Sequence, residues 1–153
     1  MPWARIVTHW GGFYAASDGQ HVTELRFPGQ APGELRPPAP VVETLALQLE
    51  EYLRGRRTAF DVPILLQGTA FQRAVWAALA KIPYGTTITY GSLAAAVRRP
   101  RSARAVGQAV GANPIPLVIP CHRVLPAAGG LGGFGPGTTW KRRLLVLEGA
   151  ATT

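Results

Sequence analysis

The chain has little cysteine, little histidine and no long apolar run. Its 153 residues include one cysteine and three histidines. One cysteine cannot form an internal disulfide or a cysteine-based zinc site, and the scattered histidines lack metal-ligand spacing. We therefore expect no disulfide framework, no metal and no cofactor.

The sequence also has no segment that approaches the roughly 20 apolar residues needed to span a bilayer. The N-terminal stretch MPWARIVTHWGG lacks the apolar core of a signal peptide. We expect a cytoplasmic protein with no membrane partner, and a single thiol agrees with a reducing compartment.

Acidic residues are scarce as well. Asp and Glu number 8 against 16 Lys and Arg, which gives a formal net charge of +8. The basic residues cluster at 54–57, 98–104 and 141–143. Excess positive charge favours polyanions because phosphate contacts release counterions. A solvated basic surface would have the same composition, so charge alone puts nucleic acid only slightly ahead.

The first part of the chain has the pattern of a small α+β subdomain, which we place at residues 1–60. Two strand-like runs, at 4–10 and 21–27, are separated by a region with Gly, Ser and Asp that indicates a turn. After a proline-rich connector, an apolar helical face runs from Val42 to Leu53, with Gly55 as the stop. Residues 61–68 are predicted to be a second connector.

From residue 69 onward the pattern is mainly helical, and we predict a C-terminal domain over residues 69–150. Thr69 is an N-cap candidate for a helix that ends before Pro83. Two short helices follow, and Pro100 suits the entry of the second. The pair has the pattern of a helix-turn-helix, which is weak evidence alone because such pairs often only pack in helical cores. The predicted fold class is α+β.

The second short helix carries small residues at intervals of four, namely Ala103, Gly107 and Gly111. Glycine costs about 1 kcal/mol in a helix relative to alanine, so the two glycines need a reason. Close helix packing is one reason, and close approach to a narrow surface such as a DNA groove wall is the other. The helix alone leaves both open.

The single thiol, Cys121, lies beside His122 in NPIPLVIPCHRVL. A free cysteine has a pKa of about 8.5 and is only a few per cent thiolate at neutral pH, so a nucleophile needs a base or a positive field. The run before Cys121 reads as extended, which points consecutive side chains to opposite faces. We therefore expect a bridging water, not a direct contact, between Cys121 and His122.

A histidine base needs an acceptor on its other ring nitrogen. Beyond Asp61 the only carboxylate is Glu148, which is a candidate by elimination. The alternative is a buried, inert thiol, the commoner fate of a lone cysteine. Flanking prolines and the glycine-rich segment 129–137, which could wrap a flat ligand, favour chemistry instead.

The segment around Cys121 and its flanks resembles a known protein family. The motif PCHRV, preceded by RAVGQAVGANPIPLVI and followed by GGFGPG…K…LEG, is similar to the O6-alkylguanine-DNA alkyltransferases, the methylated-DNA–protein-cysteine methyltransferases. The close resemblance runs from about Phe71 to Gly149. It implies a DNA repair protein that flips O6-alkylguanine out of duplex DNA and transfers the alkyl group irreversibly to Cys121, once per molecule. Activity on O4-alkylthymine stays open.

The resemblance also implies how the partner is bound. The partner is double-stranded DNA carrying O6-alkylguanine, held through the minor groove with little sequence preference. The protein is expected to be a monomer in solution, and cooperative assembly on DNA stays open.

Individual roles follow from the same resemblance. Cys121 is the acceptor, and His122 and Glu148 generate its thiolate through a bound water. Asn113 matches the hinge between recognition helix and active site. Tyr90 matches the tyrosine that supports nucleotide rotation and donates to the base.

The remaining implied contacts concern the flipped base and the DNA. Arg104 matches the finger that fills the gap left by the flipped nucleotide, and Lys141 the lysine near the leaving guanine. Backbone carbonyls of Cys121 and Val124 would accept from the guanine amino group. The other implied substrate and DNA contacts are Ala105, Gly107, Gln108, Ala109, Arg123, Phe134 and Gly135. Pro136 departs from the usual glycine of the family, which removes one backbone donor and affects fine substrate preference.

Other classes fit parts of the sequence. A helix-turn-helix regulator or an alkyltransferase-like lesion sensor would only bind DNA, but such sensors lack the acceptor that Cys121 supplies. A cysteine hydrolase would need turnover and an oxyanion hole.

Overall fold

The structure is a computed structural model that describes residues 2–99 and 102–150. By its internal contacts the chain divides into two compact units, Met1–Gln67 and Gly68–Thr153. The secondary structure is mixed α/β, in agreement with the predicted class. Pro100 and Arg101, to which we assigned the helix entry and part of a basic cluster, lie outside the described residues.

The first unit contains an antiparallel three-stranded sheet in the order β1-β2-β3. Its strands are β1 (Trp3–Thr8), β2 (Gly11–Ser17) and β3 (Val22–Arg26). The predicted turn between two strands is therefore wrong for the most part, because β2 occupies it and pairs with both neighbours. The small side chains of Ala15 and Ala16 are fully buried, yet they hardly mark a strand in the sequence.

Helix α1 (Pro40–Leu53) also belongs to the first unit and confirms the predicted apolar helix. Gly55 follows its end at a φ of 74°, a conformation that glycine adopts without strain, so the predicted stop is confirmed. Two arginines of the first basic cluster face carboxylates of α1, with Arg54 3.3 Å from Glu50 and Arg57 2.9 Å from Glu51. This cluster is therefore largely neutralised.

Within its described residues, the second unit holds four helices, two short parallel strands and one 3-10 turn. They are α2 (Ala70–Leu79), β4 (Ile88–Thr89), α3 (Tyr90–Ala96), α4 (Ala103–Gly111), the 3-10 turn Cys121–Arg123, β5 (Val124–Leu125) and α5 (Thr138–Leu147). None of the helices within 2–99 and 102–150 is both long enough and apolar enough to cross a membrane.

Helix α2 begins as the sequence indicates. Thr69 Oγ1 accepts from the Gln72 backbone N–H, and the Gln72 side chain accepts from the Thr69 N–H, both at 3.0 Å. The predicted N-cap is confirmed. Burial of Trp76 was not predicted from the sequence. Its indole N–H donates to the Ala109 carbonyl at 2.8 Å and links α2 to α4.

Candidate active site

A pocket of about 270 Å³ opens beside Cys121 in the second unit. Six of its lining residues were predicted from the sequence as site residues: Tyr90, Gly107, Asn113, Cys121, Phe134 and Gly135. Five were not among the predicted site residues: Val110, Gly111, Pro116, Gly133 and Pro136. The pocket is walled by the start of α3, by α4, by the loop before Cys121 and by the glycine-rich loop, so four separate segments surround it.

A short parallel ladder brings the tyrosine and the cysteine to one place. Ile88 of β4 pairs with Val124 of β5, and Thr89 pairs with Leu125. Tyr90 directly follows β4, and Cys121 lies just before β5. Because parallel strands run in the same direction, this pairing sets both residues beside the pocket.

The loop before Cys121 is turned and not extended. Leu117 has a φ of 78°, a left-handed conformation that is rare for a bulky residue, and the Ile119 N–H donates to the Ile115 carbonyl at 2.9 Å. Cys121 then opens a 3-10 turn. The prediction of an extended run was therefore wrong, and the bend removes the reason to place Cys121 and His122 on opposite faces.

Asn113 holds this turned loop at both ends. Its side-chain oxygen accepts from the Ile115 N–H at 3.0 Å, and its amide nitrogen donates to the Ile119 carbonyl at 2.8 Å. Asn113 lies just beyond α4, so one side chain links the end of that helix to the segment that carries Cys121.

His122 and Glu148 form a buried pair. The two residues are joined by His122 Nε2 and Glu148 Oε2 at 2.8 Å, and neither side chain is exposed. Glu148 also accepts two hydrogen bonds from Arg123, so its carboxylate acts as the acceptor toward the imidazole as well. His122 Nε2 therefore carries a proton, and Nδ1 keeps its lone pair.

The free nitrogen of the imidazole is available for a proton. Within the part of the chain that the structure describes, His122 Nδ1 is buried and has no hydrogen-bond partner. Burial lowers the pKa of His122, and the hydrogen bond that His122 donates to Glu148 opposes that shift. The ring is therefore neutral near pH 7 and can accept a proton at Nδ1.

The thiol of Cys121 is strongly desolvated. Burial raises the pKa of Cys121 to about 11, against smaller opposing effects from the Asn113 side chain and the Lys141 charge. The resting thiol is therefore protonated at neutral pH, and its reaction requires a base.

Lys141 is a fully buried cation, and its charge acts on the Cys121 thiol. Its ammonium donates to the carbonyls of Val124 at 2.8 Å and Gly133 at 3.2 Å, and burial lowers its pKa. It thus joins the segment after the 3-10 turn Cys121–Arg123 to the glycine-rich loop. The two carbonyls expected to bind guanine already accept one internal hydrogen bond each, Val124 from Lys141 and Cys121 from the Val124 N–H.

The structure corrects two of the implied DNA contacts. Arg123 is only 6% exposed, and its guanidinium is taken up by Glu148 and by the Ile82 carbonyl. Ala109 is 3% exposed, and its carbonyl accepts from the buried indole of Trp76. Neither side chain can lie on an outer DNA-binding surface, because each is enclosed by its own unit.

The other implied residues of α4 lie outward. Arg104, Ala105 and Gln108 are exposed, and Gly107 is half-exposed. A Cβ atom at Gly111 would meet nothing within 4 Å, and one at Gly107 would reach only ordinary contact with the Tyr90 ring at 3.9 Å. Packing inside the protein therefore does not require these glycines, which favours close approach of an external surface.

The two units differ sharply in charge. Residues 68–153 contain ten Lys and Arg and one acidic residue, a formal charge of +9, while residues 1–67 contain six and seven, a formal charge of −1. The positive charge therefore lies with the pocket and α4. Within the described residues no group of His, Cys, Asp and Glu could hold a metal ion.

These features define a class of protein: a basic unit with a pair of short helices, a pocket beside them, and a buried thiol next to a histidine–glutamate pair. Residues 70–150 match the family described as "6-O-methylguanine DNA methyltransferase, DNA binding domain". This match spans more than half of the chain, and the chain belongs to that family.

Relatives and solved structures agree with this assignment. The chain is 42% identical over 144 residues to a methylated-DNA–protein-cysteine methyltransferase of Haemophilus influenzae, covering 90% of this chain and 80% of the relative. It is 40% identical over 149 residues to an inducible one of Bacillus subtilis, covering 94% and 82%. The crystal structure of Mycobacterium tuberculosis OGT in complex with DNA superposes with a TM-score of 0.89 at 41% identity, covering 97% of this chain and 93% of that one.

Proposed function

We propose that this protein repairs alkylated DNA by moving the alkyl group from O6 of guanine to its own Cys121. The observation that carries the proposal is the single thiol at the wall of a pocket, next to a neutral histidine held by a buried carboxylate. Relatives named methylated-DNA–protein-cysteine methyltransferases, and a similar structure in complex with DNA, support the same reaction and partner.

The transfer needs a thiolate at the moment of attack. His122 Nδ1 takes the thiol proton through a bound water, and the resulting imidazolium is stabilised by Glu148. The sulfur then attacks the alkyl carbon, a C–S bond forms, and the C–O6 bond breaks with its electron pair leaving on guanine. Burial raises the pKa of Tyr90, so this phenol stays protonated and can donate to the departing base.

The products explain why the reaction occurs once. Guanine regains a proton in place of the alkyl group, which balances the proton lost by the thiol. Cys121 becomes a thioether, a poor electrophile with no route back to the thiol. A cysteine hydrolase would instead release its product and turn over.

Mass spectrometry tests the reaction directly. After incubation with excess duplex that contains O6-methylguanine, we expect one methyl group per molecule, mapped to Cys121. A second methyl group, a different residue or repeated turnover would exclude the proposal. An unmodified protein bound to the lesion would favour the sensor.

We also propose that the lesion is read in the flipped state. In duplex DNA, O6 is held in the base stack and on the pairing edge, so the nucleotide must rotate into the pocket. The small residues of α4 suit the minor groove, which is about 6 Å wide. The positive charge of residues 68–153 supports binding to phosphates, and little sequence preference is required.

Arg104→Ala tests the flipping step. The exposed Arg104 lies near the start of α4, where its guanidinium can fill the space that the nucleotide leaves. Because unstacking costs a few kcal/mol, the variant should react about tenfold or more slowly with duplex DNA. It should react almost normally with free O6-benzylguanine, which needs no flipping. Equal slowing on both substrates, measured in single-turnover assays, would mean that Arg104 shapes the pocket.

Gly111→Ala tests the groove face of α4. A Cβ atom there meets nothing within 4 Å, so helix propensity should raise the stability by up to about 1 kcal/mol. The same methyl group should weaken binding to duplex DNA several-fold, because it crowds the groove wall. Thermal unfolding and a binding titration check the two effects. Higher stability with unchanged affinity would remove Gly111 from the interface.

We further propose that residues 1–60 form an α+β subdomain, that 61–68 connect, and that 69–150 form the DNA-binding and alkyltransferase domain. The division of internal contacts after Gln67 supports the start of the second domain, while residues 61–67 fall within the first compact unit. The protein is proposed to act as a monomer in solution.

A further inference from the structure

Arg123 forms a two-point hydrogen-bonded ion pair with Glu148, the carboxylate that binds His122. Its Nε donates to Glu148 Oε1 and its Nη2 to Glu148 Oε2, both at 2.8 Å. The third nitrogen, Nη1, donates to the Ile82 carbonyl at 2.6 Å. The side chain is 8% exposed, so this forked pair is formed out of water.

These hydrogen bonds restrict the position of the Glu148 carboxylate. Glu148 follows the end of α5, while Arg123 ends the 3-10 turn that begins at Cys121 and donates to the Ile82 carbonyl, beyond α2. The Gly85 N–H also donates to Glu148 Oε1 at 3.3 Å. Glu148 Oε2 is thus held against His122 Nε2 by contacts from two other segments.

The two hydrogen bonds from Arg123 also determine where the proton between Glu148 and His122 lies. Each oxygen of Glu148 accepts from a permanently charged guanidinium, so the carboxylate is a poor place for a third proton. The proton between the two residues therefore stays on His122 Nε2, and Nδ1 stays the basic nitrogen. Without Arg123, the buried carboxylate would be compensated by the imidazole alone, and the imidazole would be held in its protonated form.

We propose that Arg123 is a positioning residue for thiol activation, which fixes Glu148 as the acceptor for His122 and so keeps His122 Nδ1 free to take the thiol proton. This inference rests on the proposed alkyl transfer to Cys121. It replaces the implied DNA contact of Arg123 with a role inside the protein.

The charges around His122 predict the direction in which its pKa moves when Arg123 is removed. Burial lowers the pKa of His122 most, Glu148 raises it, and the positive charges of Arg123 and Lys141 lower it. Tyr84 also faces this group, with its ring 5.7 Å from the guanidinium of Arg123, and it is neutral because burial raises its pKa. Removing Arg123 should therefore raise the pKa of His122.

The test is the pH dependence of single-turnover methyl transfer from duplex DNA in an Arg123→Met variant. At neutral pH the rate should fall at least about tenfold, and at most by the roughly 10²–10⁴ that general-base help supplies. The rate should recover at higher pH, because the acid limb of the profile moves upward. A loss that is equal at every pH would overturn the proposal.

Two matched variants accompany this measurement. Arg36→Met removes an exposed arginine that pairs with Glu34 in the first unit, and it should leave the rate and the acid limb unchanged. Arg123→Lys keeps the charge and loses the fork, so it should slow transfer with a smaller movement of the limb. Circular dichroism melting confirms that each variant is folded.

A double variant separates positioning from a direct role. In Arg123→Met/Glu148→Gln no charge is left unpaired, so this protein should fold even if Arg123→Met does not. Because Arg123 acts mainly through Glu148 and otherwise contributes only its own charge at His122, the rate of the double variant should lie within a small factor of that of Glu148→Gln alone. The proposal would be overturned if the double variant were slower than Glu148→Gln by the same factor by which Arg123→Met is slower than the parent protein. If the parent protein does not alkylate Cys121, the proposed function itself is wrong.

Discussion

Cys121→Ala should abolish alkyl transfer while binding to the damaged duplex stays within a small factor of the parent protein. The substitution deletes the only thiol of the chain, which is the atom that forms the new bond. Tyr90 also lines the pocket, but its phenol has a raised pKa and stays protonated. The exposed face of α4 is untouched, so DNA affinity should survive. Release of guanine and a binding titration are the measurements.

Two controls sharpen this result. Cys121→Ser replaces the thiol with a hydroxyl group of similar size. It should be equally inactive, because an alcohol is far harder to deprotonate than a thiol. Parent protein that has already been methylated should be inactive as well and should still bind DNA. Residual transfer by Cys121→Ala, at any rate above background, would place the acceptor elsewhere.

Helix α2 of the second unit was readable from local chemistry. The capping box at Thr69 and Gln72 and the apolar spacing after it are local signals, and both are realised. Strand β2 was missed because Ala15 and Ala16 are small and carry no strand preference, although both are fully buried. Its burial depends on two neighbouring strands that a local pattern does not reveal.

The loop before Cys121 shows a second limit of prediction from local sequence. The prolines indicated a fixed backbone but not its direction. That direction is set by Leu117 in a left-handed conformation and by the two side-chain hydrogen bonds of Asn113. Both depend on residues that meet only after the chain has folded.

The role of Arg123 had a signal that charge counting could have revealed. Glu148 is the only acidic residue in 68–153, where ten basic residues lie. A carboxylate that is buried in such a segment needs a cation as partner, and Arg123 lies beside the histidine that Glu148 holds. The resemblance assigned this arginine to DNA because motif matching does not distinguish an inward from an outward side chain.

Glu148→Gln should slow alkyl transfer by about 10²–10⁴, the usual value of a positioned general base. The neutral amide no longer stabilises the imidazolium that forms when His122 takes the thiol proton. Because the pKa of Cys121 is raised to about 11, little thiolate forms without that help near neutral pH. Single-turnover rates with a saturating duplex measure the loss, and DNA affinity should hardly change.

The pH profile of Glu148→Gln should shift in the opposite direction from that of Arg123→Met. Glu148 raises the pKa of His122 and Arg123 lowers it, so loss of the carboxylate should move the acid limb downward. At high pH the rate of Glu148→Gln should approach that of the parent, because hydroxide can then supply the thiolate. Glu34→Gln, an exposed acid of the first unit, is the matched control and should behave as the parent does. A Glu148→Gln rate within a small factor of the parent at neutral pH would remove the carboxylate from the mechanism.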